Sequence, residues 1–333
     1  MVLLDRFTEV GDIALFALAA AALIPLAWLI GEATEHAAHH TGPGIGGFLN
    51  ATFGNAPELI IALLAVNEGL EEVVRGSLTG SVVGNLLLVL GFSLLFGGRG
   101  RLDRESTFTS LGLVAFAVLL FLIPAIPGFQ GDPDRRSLAE LSLPVSIVLL
   151  LVYVGVTWNS LRRHHQLHVS EEPGAGAASA WSLRFSLAVL AAATLVTAFV
   201  AETLVHTLTA FAEELGLSEF FVAAVIVAIV GNAAEHGGAV VVAYGGNIKL
   251  AAEIALASSA QVAVFLIPAV AILSWAIEPL ALSFREVELI AVGGAVIFAT
   301  LLLWQGKSSR FRGVLLIAAY VGVAVLFFVA GDR

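Results

Sequence analysis

The chain has 333 residues, of which 59% are hydrophobic and only 13% are charged. Soluble domains carry about 25% charged residues, so this composition indicates a membrane protein. The net charge is −10, and only 16 Lys and Arg are spread among the loops, so the chain lacks a nucleic-acid-binding face. The absence of cysteine excludes disulfides, thiol catalysis and thiolate metal sites.

Ten apolar segments are long enough to cross a bilayer. The first follows the acidic Asp5 and Glu9 rather than a basic region and is about twice a signal-peptide core, so we interpret it as a span. Turn or charge signals separate the segments, as at Gly42-Pro43-Gly44 between the first two. The predicted spans are 10–31, 44–67, 73–97, 107–127, 138–160, 182–206, 217–243, 250–276, 286–305 and 312–331. The predicted fold is therefore an all-α polytopic membrane protein with ten transmembrane helices.

The longest break between spans is rich in Arg, His, Glu, Pro and Gly, and it separates five spans from five. We predict a first five-helix repeat over residues 1–165, a cytoplasmic linker over 166–180 and a second repeat over 181–333. A duplicated unit with an odd number of spans inserts the second time upside down. The expected arrangement is therefore two inverted five-helix repeats.

A five-residue motif supports this duplication. Gly54-Asn55-Ala56-Pro57-Glu58 in the second span returns as Gly231-Asn232-Ala233-Ala234-Glu235 in the seventh. The spacing continues, because Ser81 and Ser258 each follow their motif glutamate by 23 residues. A carboxylate inside a membrane span is costly and is a functional candidate by default. Inverted repeats bring Glu58 and Glu235 together near the midplane of the membrane.

The residues around the two glutamates predict a site for a hard cation. Gly54 and Gly231 are weak helix formers in lipid, and Pro57 lacks an N–H, so we expect helix breaks whose freed carbonyls line a cavity. Carbonyl, amide and carboxylate oxygens are the ligands that Ca²⁺ prefers, whereas a soft-metal site is poorly supported. The expected polar lining comprises Asn55, Asn232, Ser81, Asn85, Ser258, Ser259 and Gln261.

Further titratable residues lie near this predicted site. Glu32 and His36 are four residues apart in the first span, and Glu202 and His206 repeat that spacing in the sixth. Glu32, Glu202, His206 and His236 are candidates for a gate or a proton path. The alternative for the spaced pairs is an interaction at the membrane interface.

These motifs resemble those of the Ca²⁺/H⁺ antiporters, the CAX branch of the cation/Ca²⁺ exchanger superfamily. The resemblance extends to Gly80-Ser81, to the segment 85–91, to Ser258-Ser259-Ala260-Gln261 and to Gly31-Glu32-Ala33-Thr34-Glu35. It implies that Glu58 and Glu235 carry the cation and the protons, and that the first and sixth helices slide against the rest. The residues that it places around the two carboxylates are Asn55, Asn232, Ser81, Asn85, Ser258 and Gln261.

Two features depart from the family pattern. Many members carry an additional span before the first motif, whereas only one span precedes it here. Many members also have a long acidic stretch between the repeats, which is reduced here to Glu171-Glu172. The second departure argues against a regulatory acidic helix.

Other functions fit the sequence less well than Ca²⁺/H⁺ exchange. Relatives that use Na⁺ carry an additional Asp where this chain has Gln261, which favours protons over Na⁺ as the coupling ion. A channel is an alternative, but inverted repeats around two midplane carboxylates favour alternating access. An enzyme would need a nucleophile–base pair, an H-E-x-x-H motif or a P-loop, and the sequence has none of these. We therefore expect a transporter rather than an enzyme, without a cofactor.

The distribution of Lys and Arg predicts the orientation. In the ten-span topology, ten of these residues lie on the side of the inter-repeat linker and six on the side of the two termini. The positive-inside rule then places both termini outside, in an arrangement typical of a prokaryotic inner membrane protein. The expected partners are Ca²⁺, H⁺ and the lipid bilayer, with no nucleic acid and no obligatory protein partner.

Overall fold

A computed structural model of the chain describes residues 11–167 and 181–332, and helices dominate both segments. The helices of the first segment are α1 Asp12–Phe53, α2 Ala56–Asn67, α3 Glu71–Gly97, α4 Arg104–Gly128 and α5 Arg136–Leu167. Those of the second are α6 Leu183–Leu215, α7 Glu219–Gly231, α8 Ala233–Tyr244, α9 Ile248–Ala276, α10 Glu286–Leu303 and α11 Arg310–Ala330. Two short strands, β1 Gly100–Arg101 and β2 Lys307–Ser308, pair antiparallel.

The prediction of an all-α polytopic membrane protein is confirmed. Eight stretches within these helices are long and apolar enough to cross a membrane, and α7 with α8 forms a further, broken span that bends by 56°. The short apolar helix α2 lies where the second half of the second span was predicted. By length and composition the described residues thus contain eight spans, or nine with the broken one, and α2 is too short to count as a span by itself. The predicted linker falls almost entirely outside the described residues.

The predicted turn at Gly42-Pro43-Gly44 was wrong. Helical backbone continues through it, so that α1 contains both the first predicted span and the beginning of the second. Glycine and proline weaken a helix without always ending it, and the packing of α1 along α6 offsets that cost. At about 1.5 Å per residue, α1 is roughly 63 Å long, about twice the hydrocarbon thickness of a bilayer.

Contacts between helix ends define two opposite faces of the protein. On the first, named the Arg75 face, Arg75 at the start of α3 binds Asp134 in the α4–α5 loop at 2.6 Å. Arg285 before α10 lies 3.8 Å from Glu72, and Asp332 after α11 accepts from the Phe220 N–H at the start of α7. This face therefore gathers the starts of α3, α7 and α10 with the end of α11.

The second, named the Lys249 face, lies at the other ends of these helices. Lys249 at the start of α9 contacts Asp103 before α4 at 3.0 Å, and the β1–β2 ladder joins the loops after α3 and α10. The ammonium group of Lys249 and the N–H of Ser106 hold the pKa of Asp103 below its usual range. Helix α3 therefore runs from the Arg75 face to the Lys249 face, whereas α9 runs the opposite way, as inverted repeats require.

Helices α3 and α9 are the most interior spans. In their most apolar windows 83% and 67% of the residues are buried, against 22–44% in the other unbroken spans. Helix α3 approaches its neighbours closely through glycine, because a Cβ added at Gly80 would lie 2.0 Å from the carbonyl oxygen of Ala224 in α7. Small residues at helix interfaces allow such backbone contact in membranes. The polar residues on α3 and α9 consequently face protein rather than lipid.

Candidate functional site

Two helix breaks in nearly the same conformation frame the candidate site. Asn55, between α1 and α2, has φ −99° and ψ 17°, and Asn232, between α7 and α8, has φ −89° and ψ 12°. This region of backbone space is sparsely populated and often holds functional residues. Pro57 lies in the first turn of α2, where its missing N–H breaks no helical hydrogen bond. The predicted breaks therefore occur at Gly54-Asn55 and at Asn232, directly after Gly231.

The two breaks place Glu58 and Glu235 at equivalent positions, each in the first turn of the following helix. The positive end of a helix dipole favours a carboxylate there. The side chain of Glu58 is only 7% exposed and packs against Gly231, where an added Cβ would lie 3.3 Å from its Cγ. The carboxylates of Glu58 and Glu235 are close enough to interact electrostatically. Each half of the chain thus contributes one acid to a shared interior region.

A chain of hydrogen bonds joins the two halves around these acids. The amide nitrogen of Asn85 on α3 donates to the side-chain oxygen of Asn232 at 3.1 Å and to the hydroxyl of Ser258 at 2.9 Å. The amide nitrogen of Asn232 donates to the hydroxyl of Ser81 at 2.7 Å, and Ser258 donates to Glu235. All of these residues except Glu235 are buried, and hydrogen bonds between buried groups are strong. The network therefore fixes α3 against α7, α8 and α9.

Two oxygens in this region have no hydrogen-bond partner among the described residues. They are Oε2 of Glu58 and Oδ1 of Asn85, and both are buried. Buried acceptors are rarely left unsatisfied, because each costs about 1–3 kcal/mol. Asn55, which precedes Glu58 in the same motif, is also buried. Unused oxygens next to two carboxylates suit the coordination of a cation.

The donor set favours a hard cation. Within the described segments, no group of three or more His, Cys, Asp or Glu side chains is positioned to hold a metal ion. The region instead combines two carboxylates with amide and hydroxyl oxygens, and Ca²⁺ accepts such oxygen ligands in flexible geometry.

Some predicted residues lie apart from this network. Gln261 is half-buried, and no hydrogen bond of its side chain to another described residue is found. Its neighbour Ser259 is buried and donates to the carbonyl of Val82 on α3 at 3.3 Å. His236 is half-buried, with an Nε2 that has no partner among the described residues. Neither the Gln261 side chain nor His236 Nε2 thus takes part in the hydrogen-bond network around the two carboxylates.

The Glu–His pairs on α1 and α6 differ in their contacts. Glu32 lies 3.3 Å from His36, and the His36 ring stacks on Trp181 just before α6. Glu202 and His206 are exposed on α6, and no ion pair joins them in the described structure. Their roles as gate or proton-path residues stay predictions.

Sequence reasoning missed a buried ionic cluster on the Arg75 face. Arg75, on α3, and Glu288, on α10, are both essentially inaccessible to solvent. Both residues fall inside predicted spans, and the rule that singled out Glu58 and Glu235 applies equally to them. Neither residue belongs to a motif that occurs in both halves, so the repeat pattern did not point to them.

Comparisons with known proteins agree with this architecture. A family model described as sodium/calcium exchanger protein matches residues 12–162 and 185–329. The Ca²⁺/H⁺ antiporter ChaA of Bacillus subtilis (strain 168) is 41% identical over 329 residues, covering 94% of this chain and 92% of the relative. The Ca²⁺/H⁺ antiporter of Aphanothece halophytica is 36% identical over 346 residues, covering 98% and 93%.

A solved structure shows the same fold. The structure of native YfkE superposes with a TM-score of 0.83 at 38% sequence identity, over 98% of this chain and 96% of that one. The family match, the relatives and the fold agree along nearly the whole length. The chain belongs to the sodium/calcium exchanger family.

Proposed function

We propose that this protein is a secondary active transporter that exchanges cytoplasmic Ca²⁺ for external protons by alternating access. Glu58 and Glu235 bind either Ca²⁺ or H⁺ near the membrane midplane. The observation that carries this function is the pair of acids, one from each half, at equivalent helix breaks, with hydrogen bonds that link Glu235 through Ser258 and Asn85 to Asn232. The names of the relatives, Ca²⁺/H⁺ antiporters over nearly the full length, support it.

The electrostatics of the pair make exchange obligatory. Two ionised carboxylates in a poorly solvated interior repel one another, and the empty, doubly charged site is therefore costly. The site becomes neutral with either one Ca²⁺ or two protons. We expect only these forms to change access, so that the carrier does not return empty and the exchange is close to electroneutral. A strong dependence of the transport equilibrium on membrane voltage would contradict this ratio.

Protons are favoured over Na⁺ as the coupling ion. The site has two carboxylates, and by the family resemblance the neutral Gln261 occupies the position where Na⁺-coupled relatives carry an acid. A site with few carboxylates has little charge to neutralise several Na⁺ ions together with Ca²⁺. A Na⁺-coupled exchanger is the second candidate, because the family model covers that class as well.

The remaining assignments follow from this function. The Lys249 face lies in the cytoplasm and both termini lie outside, which agrees with the bias of Lys and Arg and with a plasma membrane location. Helices α1 and α6 pack along one another. They slide against the other helices, and Glu32, Glu202, His206 and His236 are the candidate gate and proton-path residues. Ca²⁺ and H⁺ are substrates, and we assign neither an enzymatic activity nor a cofactor.

Removing the amide of Asn85 should weaken Ca²⁺ binding without abolishing the fold. Asn85→Ala leaves the side-chain oxygen of Asn232 without its donor and removes a possible ligand oxygen. A cost of about 1–3 kcal/mol corresponds to roughly 5- to 150-fold lower affinity. Isothermal titration of purified protein with Ca²⁺ checks this, and Gly112→Ala on the exposed side of α4 is the control. Unchanged affinity would remove Asn85 from the site.

Uptake of ⁴⁵Ca²⁺ into reconstituted vesicles tests the proposed function. An imposed pH gradient should drive uptake in the complete absence of Na⁺, whereas a Na⁺ gradient at equal pH should not. A dissipated pH gradient is the control for leakage. Uptake that requires Na⁺ and ignores pH between about 6 and 8 would instead identify the Na⁺-coupled exchanger.

A further inference from the structure

Glu288 is a fully buried carboxylate outside the Glu58–Glu235 site. Its side chain is 0% exposed in the first turn of α10. Oε1 accepts from the hydroxyl of Thr79 on α3 at 3.2 Å, and Oε2 accepts from the N–H of Arg285 at 2.6 Å. Glu288 therefore links α10 in the second half to α3 in the first.

The cations that face Glu288 also contact other acids. Arg75 from α3 interacts with it electrostatically, but Arg75 also binds Asp134 at 2.6 Å and Glu71 at 3.4 Å. Arg285, on the other side, lies 3.8 Å from Glu72. Among the residues that the structure describes, four carboxylates thus share two guanidinium groups, and Glu288 is one acid among several around Arg75 and Arg285.

Glu288 is more deeply buried than the other acids of this cluster. The side chains of Glu71, Asp134 and Glu72 are 21%, 34% and 19% exposed, so that water solvates part of their charge. Glu288 has no such contact with water. It lines a small cavity whose other walls, apart from Thr79, are apolar residues of α3, α4, α9, α10 and the segment just before α10. A carboxylate facing an apolar cavity gains most from becoming neutral.

The cavity lies next to the helices that build the central site. Val82 of α3 lines it, and the Val82 carbonyl accepts the hydroxyl of Ser259 on α9. The adjacent residues Ser81 and Ser258 make the bonds to Asn232 and Glu235. A change at Glu288 thus acts on the same stretch of α3 that holds the site together.

We propose that Glu288 is a third proton-binding carboxylate of the transport cycle, separate from Glu58 and Glu235, and that its proton controls the contact between α3 and α10. In its ionised form it accepts from Thr79 and attracts Arg75. When it takes up a proton from the Arg75 face, its charge disappears and its O–H becomes a donor to the Thr79 hydroxyl. The effect on transport rests on the proposed function, whereas proton binding itself does not.

Infrared titration of the purified protein without Ca²⁺ tests proton binding directly. The carboxylic acid C=O band should lose one pH-dependent component in Glu288→Gln. Glu286→Gln is the matched control, with the same substitution two residues away on an exposed site, and it should retain that component. The component should also persist in a Glu58→Gln, Glu235→Gln double variant. An unchanged band in Glu288→Gln would overturn the proposal.

Thr79→Val keeps the test decisive if Glu288→Gln does not fold. It removes a donor to the ionised carboxylate at nearly constant shape, so the same band component should titrate at more alkaline pH. In vesicles, Glu288→Gln should shift the pH dependence of ⁴⁵Ca²⁺ uptake by roughly one unit or more, and Glu286→Gln should not. Identical pH profiles would contradict a role in transport. A wild-type protein that fails to transport Ca²⁺ under a pH gradient would refute the proposed function and leave the infrared result to decide on Glu288.

Discussion

Glu58→Gln and Glu235→Gln should each abolish Ca²⁺ transport while leaving a folded protein. The amide keeps the size of the side chain but cannot ionise, so the variant loses both a charged Ca²⁺ ligand and a proton site. The carboxylate and the bound Ca²⁺ form a buried pair of opposite charges. Removing one partner of such a pair costs about 3–5 kcal/mol, which corresponds to at least about a 100-fold loss of Ca²⁺ affinity. Uptake of ⁴⁵Ca²⁺ into vesicles and titration of purified protein with Ca²⁺ measure the two losses.

The controls separate loss of function from loss of fold. Glu286→Gln is the same substitution on an exposed glutamate and should transport normally. Without Ca²⁺ and at a pH where the empty site is ionised, thermal denaturation should show both site variants to be at least as stable as the wild type, because one of two repelling charges has been removed. Robust uptake by either site variant would exclude that residue from the site.

Gly80→Ala should strongly destabilise the protein. The added Cβ would lie 2.0 Å from the carbonyl oxygen of Ala224, and both atoms are held by helix backbone. Since neither can rotate away, α3 and α7 must separate along their contact. Overpacking costs typically about 1–3 kcal/mol, and a collision with backbone belongs at or above the upper end of this range. Thermal denaturation in detergent measures the effect.

Gly112→Ala is the matched control for that substitution. It lies on the exposed side of α4, where an added Cβ meets no atom within 4 Å. It should be neutral or slightly stabilising, since alanine is the better helix former. Equal melting temperatures for the two variants would contradict the close contact of α3 with α7.

Much of the fold was predictable because lipid imposes strict rules on the sequence. Spanning helices need about 20 apolar residues, and an odd number of spans per repeat requires inversion, as the opposite directions of α3 and α9 show. The continuity of α1 through Gly42-Pro43-Gly44 was not predictable from turn signals, because those signals are local and the packing of a long helix can override them.

The candidate site was predictable in its residues but not in its contacts. The repeated spacing selected Glu58, Glu235, Ser81 and Ser258, whereas the direction in which each side chain points depends on helix rotation. Asn85 has no polar counterpart in the second half, since Val262 lies at the equivalent position, and yet it bonds to both Asn232 and Ser258. Long-range pairs of this kind arise from packing, which a single sequence does not encode locally.

The ionic cluster on the Arg75 face had no repeated pattern to reveal it. Arg75 and Asp134 are 59 residues apart, and Thr79 and Glu288 are 209 residues apart. Each of these residues alone resembles an ordinary charged or polar residue near a helix end. Only the folded chain brings them into one buried group.

Proton release on Ca²⁺ binding tests most directly whether the two carboxylates hold Ca²⁺ and H⁺ in turn. Purified protein in weakly buffered detergent, at a pH where the site is protonated, is mixed with Ca²⁺ while a pH indicator records released protons. The account predicts about two released protons per bound Ca²⁺ and fewer as the pH rises. The double variant Glu58→Gln, Glu235→Gln should release none. Saturating Ca²⁺ binding without proton release at any pH would contradict it.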